Sequence, residues 1–504
     1  MDVEFLRYQF SDGYTGVISK QRFKVGIRHV QILYMFVGAI VIGLVRGSIG
    51  VAVLALNDED RRHDTYLEIH NWDKRIQGAV MSSFFFGYAV MLVPADLLLR
   101  KIGGKIVCTA IFVVNGALCV AMPTIVNKGG WVAASNAQLF MGMAHSCFST
   151  VYETLIERWL PPNERNTYSH FIYGGIQLGI IIGLPISGLL SQTRLGWEFI
   201  YYALAMATLS MAVVIGTLTA SSFEGHQAMG DGEKEFIRDA MTLYKKKKLI
   251  RPFRSILECK KFWAVTVAHS ASNALFIFYL IFVPVFLETL NVSLKDATFY
   301  TMMSFLTMWL VYLTTSPTVE WVAGSEIVNY IMSTTCLRKI INTLGALGII
   351  IGLSILPNLT QERTNVAVIV LIAILGLLGF QLTGFLSNYQ DMTENYSGTL
   401  IMLSSTISGF VGAVIPFLFS FFLYTEPIHL SQWKAAFYIL AAYYMGCNAV
   451  YVLFASNKRQ PWDGNSGRKT GHYNHSYSYG MGKLHDDMMK DILWKRTALI
   501  FQNV

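Results

Sequence analysis

The sequence predicts an all-α membrane protein in which twelve transmembrane helices form two six-helix bundles. Three observations carry this prediction. Apolar residues make up 53% of the 504-residue chain, charged residues only 14% where soluble domains run to about 25%, and the mean hydropathy is +0.43. Twelve separate apolar stretches are each long enough to cross a hydrocarbon core, which takes about 20 residues of helix. A basic segment divides them six and six. The same composition excludes a secreted disulfide scaffold, a nucleic-acid-binding domain and a long disordered chain.

In order, the stretches fall at 30–55, 77–99, 106–125, 132–157, 170–191, 198–220, 262–287, 296–316, 338–356, 365–387, 398–424 and 433–455. The plan that follows is an N-terminal segment (1–29), a first bundle (30–220), a basic linker (221–261), a second bundle (262–455) and a tail (456–504). No short apolar core with a small-residue cleavage site precedes the first stretch, so no signal peptide is read. If the N-terminus is placed inside, the inner segments hold 30 Lys and Arg and the outer loops 9. That asymmetry predicts both termini in the cytoplasm. The linker holds Lys245, Lys246, Lys247 and Lys248; it reads as a topology determinant and solvated connector, with anionic lipid heads as a lesser alternative. Outer-loop sequons at Asn291 and Asn358 are expected to be glycosylated, whereas those at Asn395 and Asn474 face the cytoplasm and stay bare. Residues 461–483 read as disordered.

Nothing points to soluble-type catalysis or to a cofactor. Cys108, Cys119, Cys147 and Cys447 fall in apolar stretches, while Cys259 and Cys336 fall on the inner side. No zinc spacing, phosphate loop or G-x-S-x-G turn appears. The chain is read as a non-enzyme, and as a monomer.

Several motifs follow one another in register: Trp72 with Ser82-Ser83-Phe84-Phe85-Phe86-Gly87-Tyr88, then Trp159-Leu160-Pro161-Pro162-Asn163-Glu164-Arg165, Gly196-Trp197, Thr334-Thr335-Cys336-Leu337-Arg338-Lys339, and Leu453 through Trp462. Over about residues 30–465 the chain resembles the organic and inorganic anion transporters of the major facilitator superfamily, the group of sialin, the vesicular glutamate transporters and the sodium-phosphate cotransporters. The resemblance implies two six-helix bundles around a central cavity, alternating access, and a small anionic substrate driven by protons, sodium or membrane potential across a plasma, lysosomal or vesicular membrane.

Arg46 stands out without that resemblance. A mid-span Arg costs roughly 2.5 to 3.5 kcal/mol on insertion scales. Lying 11 residues before Asn57, it sits about 16 Å from the outer end of its helix, and no acid lies within one turn. Such a residue either pairs with an acid on another span or faces a cavity that takes an anion. The resemblance implies the second role, with the guanidinium fork holding a carboxylate and Ser48 standing where relatives carry Asn.

Gln138, His145 and Tyr152 recur every seven residues and share one helix face. Relatives that carry carboxylates have an Arg at the position of Gln138, a Glu at that of His145 and a His at that of Glu153. The Gln138 exchange predicts a weaker grip on dicarboxylates, and His145, with an unperturbed pKa of about 6.5, reads equally as the coupling group or as a neutral His hydrogen-bonded in the bundle. Glu153 is expected to act in coupling, a local ion pair or a gate. His269 and Asn273, four apart in the seventh stretch, share a face and resemble a sialin-type pattern; the glutamate-type Arg is replaced by Ser272. Tyr88 and Tyr279 are cavity candidates, with packing as the commoner role of such residues.

The loop after the second stretch carries Asp96, Arg100 and Lys101, and that after the fourth Glu164 and Arg165; these are the expected gating groups. Arg100 occupies the position of the acid in the superfamily's inter-bundle latch, and Gly324 does so after the eighth stretch, so both latches read as weakened. Gly174, Gly175, Gly179 and Gly183 in the fifth stretch predict a close helix crossing through their four-residue spacing, with hinge motion as a secondary reading. The leading reading is a secondary active anion transporter. The alternative is a transport-deficient relative acting as a membrane sensor or scaffold.

Overall fold

The computed structural model describes residues 4–9, 15–20, 26–58, 69–99, 104–243, 251–393, 395–423 and 430–463. Eleven of its helices are long and apolar enough to cross a membrane. One of them, Gly104–Trp159, is two spans: the backbone at Gly130 is non-helical, with φ 63° and ψ −162°. A Cβ at Gly104 would lie 2.7 Å from Leu155, and residues 51 apart on one straight helix would be separated by roughly 75 Å, so the chain reverses at Gly130. Only glycine takes that backbone conformation without strain.

Spans one and two are therefore Ile27–Leu56 and Lys74–Leu99, three and four the two arms of Gly104–Trp159, five Pro162–Ser191 and six Gly196–Leu218. Spans seven to twelve are Lys260–Thr289, Leu294–Gly324, Thr334–Ile355, Thr364–Asp391, Ser397–Phe422 and Leu430–Phe454. Span five begins about eight residues before its apolar stretch, and span eight continues about eight residues past its own. Hydropathy measures the lipid crossing, whereas helical hydrogen bonds persist into the headgroup layer. Ahead of span one, residues Glu4–Gln9 and Thr15–Lys20 pair as an antiparallel hairpin.

Close backbone approach sets the packing. Span five lies along span one in a staircase: a Cβ at Gly175 would lie 2.8 Å from the Phe36 carbonyl oxygen, one at Gly183 2.9 Å from that of Leu44, and one at Gly179 would collide with that of Ile40. Gly43 and Gly47 give the reciprocal clearance against Ile176 and Ile180. Parallel helices with small residues every fourth position are a recurring way for membrane helices to gain van der Waals contact. The two bundles meet in the half of the membrane away from the ends of the chain, where Gly50 abuts Leu280, Gly78 abuts Pro416 and Ser420, and Gly188 abuts Thr298.

Part of the segment between the bundles is built into the first bundle, contrary to its reading as a solvated connector. Helix Asp231–Leu243 buries Ile237, with Met229 and Phe223 ahead of it, and the Trp159 indole donates to the Ala220 carbonyl at 3.0 Å. Lys245 to Lys248 lie outside the described residues. The start of the tail is ordered too. Asp463, 1% exposed, accepts from Thr393 at 2.6 Å, Arg459 at 2.7 Å and the Asn395 side chain at 3.1 Å. Residues Pro461–Asp463 thus form a docked turn where disorder was expected; the rest of the tail, Asn474 included, lies outside the described residues.

Candidate functional site

Spans two and four are pressed together by glycine. A Cβ at Gly142 would collide with the Phe84 carbonyl and lie 2.9 Å from the Tyr88 nitrogen, and Gly87 meets the Leu139 backbone in the same way. One turn beyond Gly142 lies His145, and one turn beyond Phe84 lies Tyr88. The result is a group built from three spans. The Arg46 guanidinium sits over the Tyr88 ring, 4.8 Å from its centroid. His145, 1% exposed, is within electrostatic reach of Arg46 and stands edge-on to Phe84 at 5.1 Å.

What this group lacks is as informative. Among the described residues no carboxylate pairs with Arg46, its Nε is buried without a hydrogen-bond partner, and both ring nitrogens of His145 are buried without one. Buried polar atoms are nearly always satisfied, and Arg46, itself half-buried, has one such atom in its Nε. Arg46 and His145 thus leave three buried polar nitrogens without a protein partner.

Two of the expected contact residues point elsewhere. Ser48 is fixed in the seam with span five, donating to the Leu44 carbonyl and accepting from Ser187, both at 2.7 Å. It continues the glycine staircase by one step, on another face of span one from Arg46. Gln138 donates to the Tyr201 hydroxyl at 3.3 Å, so its amide is directed toward span six. Its spacing from His145 was right, but the two side chains have different neighbours. Tyr152 donates to the Met35 carbonyl and packs within the first bundle. Glu153 lies 3.5 Å from the Tyr173 hydroxyl on span five.

In the second bundle His269 bonds Ser404 at 2.9 Å and lies 3.5 Å from the Tyr389 hydroxyl. Asn273 donates to the Ser408 carbonyl at 2.7 Å. The two therefore share a face, as their spacing required, and both hold span eleven. Tyr279 donates to the Leu371 carbonyl at 3.0 Å and is fully buried, a packing residue. Ala89 of span two approaches Gly409 of span eleven, so Tyr88 and the Ser408–Asn273 contact lie on either side of one inter-bundle seam.

The charged groups at the end of the bundle that carries the N-terminus form two networks, most of whose members the sequence did not single out. Arg28, 2% exposed, binds Glu164 through Nε at 3.1 Å and Nη2 at 3.3 Å, and Glu233 through Nη1 at 3.2 Å. Glu233 also accepts the backbone N–H groups of Ile27 at 3.0 Å and Arg28 at 3.3 Å. A carboxylate thereby satisfies the free donors at the positive end of span one. Arg165 caps the end of span four through the carbonyls of Leu160 and Glu157, at 2.9 and 2.8 Å. In the second bundle Arg338, equally buried, binds Glu320 at 2.9 Å and Asp391 at 3.5 Å. Between the bundles Asp96 pairs with Arg251. Glu320, one turn before Gly324, thus supplies an acid at that end of span eight, inside the second bundle. Arg100 and Lys101 lie outside the described residues.

Residues 35–416 match the family description "Major Facilitator Superfamily". The chain belongs to that superfamily. A "Putative inorganic phosphate cotransporter" of Drosophila melanogaster is 27% identical over 399 residues, covering 78% of this chain and 74% of the relative. "Sialin" of Homo sapiens is 24% identical over 457 residues, covering 86% and 90%. Among solved structures, a D-xylose-proton symporter superposes with a TM-score of 0.65 at 14% identity over 86% of this chain and 99% of the other. In this superfamily member, no cluster of His, Cys, Asp or Glu among the described residues has metal-binding form.

Proposed function

We propose that the protein is a secondary active transporter of a small organic or inorganic anion, of carboxylate or phosphate type, working by alternating access about Arg46, with both termini in the cytoplasm. One observation carries the reading: a permanently charged guanidinium lies near mid-span with no carboxylate among the described residues to neutralise it. The relatives named for phosphate and sialic acid carriers support the substrate class. The test is uptake into proteoliposomes of phosphate, sialic acid, glutamate, urate and monocarboxylates under imposed proton, sodium and voltage gradients. Saturable, gradient-driven uptake of at least one is expected; none under any gradient would leave the sensor or scaffold reading in its place.

His145 is the proposed coupling group. An anion at Arg46 offsets the positive charge beside the ring, so anion and proton binding favour each other by linkage. Anion affinity should rise as pH falls, and His145→Gln should flatten the profile while sparing some uptake. Superimposable profiles for wild type and His145→Gln from pH 5 to 8, the interval in which His ordinarily changes charge, would place coupling elsewhere, with His269 and Glu153 next.

Asp96 and Arg251 are proposed to form the gate on the cytoplasmic side, with Glu164 and Arg165 bracing the first bundle beside it. Either Asp96→Arg or Arg251→Asp should cut uptake several-fold at normal abundance, and the double exchange should recover a good part of it. A double variant no better than the worse single would remove the pair from the gate. For topology, glycans are expected at Asn291, exposed in its turn at φ 62°, and at the exposed Asn358, and not at Asn395. Endoglycosidase mapping that found a glycan on Asn395 would invert the orientation.

A further inference from the structure

Charge in the described spans is confined to their ends, with one exception. Every Lys and Arg lies within about six residues of a span end, and every Asp and Glu within about seven, except Arg46 near the middle of span one, as expected where ionisable groups in lipid are costly. The groups around Arg46 add no fixed charge: Tyr88 covers one face of the guanidinium, His145 is neutral unless it takes a proton, and Phe84 is apolar. In the facing bundle, Ser272 bonds its own helix at the Ala268 carbonyl, 3.1 Å away, and Asn273 bonds Ser408.

A carrier must move its loaded site across the barrier between the two faces of the membrane. With one fixed positive charge at the centre, a univalent anion makes that site neutral, and a divalent anion leaves an uncompensated negative charge in a low-dielectric interior. The planar fork suits this pairing. With one guanidinium face stacked on Tyr88, the edge remains for two parallel bonds to a single carboxylate or phosphate, and no second cation is at hand for another.

We propose that, while His145 is unprotonated, the substrate is a small univalent anion carried as a neutral one-to-one pair with Arg46, and that divalent anions are then taken at a large disadvantage, which a proton on His145 offsets. This rests on Arg46 as the anion site, and the test separates the two claims. The full chain in proteoliposomes is given two matched pairs at pH 7.5, where ordinary carboxyl groups are ionised: succinate against monomethyl succinate, and phthalate against monomethyl phthalate. Uptake and thermal stabilisation of the purified protein are both read. The monoesters should act at concentrations at least tenfold lower than their parent diacids. Diacids that equal or surpass the monoesters overturn the proposal, as does failure of both monoesters to act at tens of millimolar.

His145→Lys, which sets a second cation beside Arg46, should move the preference toward the diacid at least tenfold; an unchanged ratio in a folded variant counts against the proposal. Arg46→Ala distinguishes the failures. If it abolishes the response to all four probes while monoester and diacid are equal in wild type, the site stands and the valence rule falls. If it changes none of them, the site itself is wrong.

Discussion

Arg46→Ala is expected to reduce saturable uptake by more than a hundredfold with protein abundance in the membrane unchanged. Two charge-assisted hydrogen bonds to the anion are lost, each worth about 1.5 to 3 kcal/mol, and the anion would enter an apolar site without a counter-charge. Abundance should hold because, among the described residues, the half-buried guanidinium has no protein ion pair to lose. Arg46→Lys keeps the charge and loses the fork, so the half-saturating concentration should rise about tenfold, equivalent to about 1.4 kcal/mol. Initial-rate uptake with quantified membrane protein measures both. An Arg46→Ala protein that misfolds while transport per surviving molecule is normal would make Arg46 a structural residue.

Gly179→Val should have the largest effect on the fold. A Cβ there already meets the Ile40 carbonyl and approaches the Gly43 Cα at 2.7 Å, and both obstacles are backbone. Backbone cannot turn aside as a flexible side chain can, so spans one and five must separate along their length. That breaks the Gly175 and Gly183 steps and the Ser48–Ser187 bond. The cost should be several kcal/mol, at the upper end for overpacking, and should show as loss of folded protein by size-exclusion fluorescence. Gly174→Ala is the control, because its nearest neighbour is the Trp309 indole at 4.0 Å; it should fold normally.

The spans were legible because a lipid crossing requires a long apolar run, and the glycine steps because close helix approach needs small residues at one spacing. Arg46 was legible for the opposite reason, a charge where none belongs. The Arg28–Glu164–Glu233 network was not, since Arg28 and Glu233 lie 205 residues apart and the charged stretch that contains Glu233 drew attention to its lysines rather than to Ile237. Sequence position also failed to say which way a side chain turns within a shared face: Gln138 and His145 are seven apart, yet one meets Tyr201 and the other Phe84. After span eight the acid that meets Arg338 is Glu320, four residues before Gly324. An acid one turn away on the same face does the same electrostatic work, and a position-by-position motif cannot register that.

The central claim is that the substrate's negative charge rests on Arg46. It is tested most directly by modifying the purified protein with phenylglyoxal, which reacts with arginine, and quantifying each modified Arg by mass spectrometry with and without a transported anion. Modification of Arg46 should fall in proportion to site occupancy, with transport activity lost in step, while the exposed Arg254 is unaffected. Modification of Arg46 at the same rate under saturating transported anion would contradict the account.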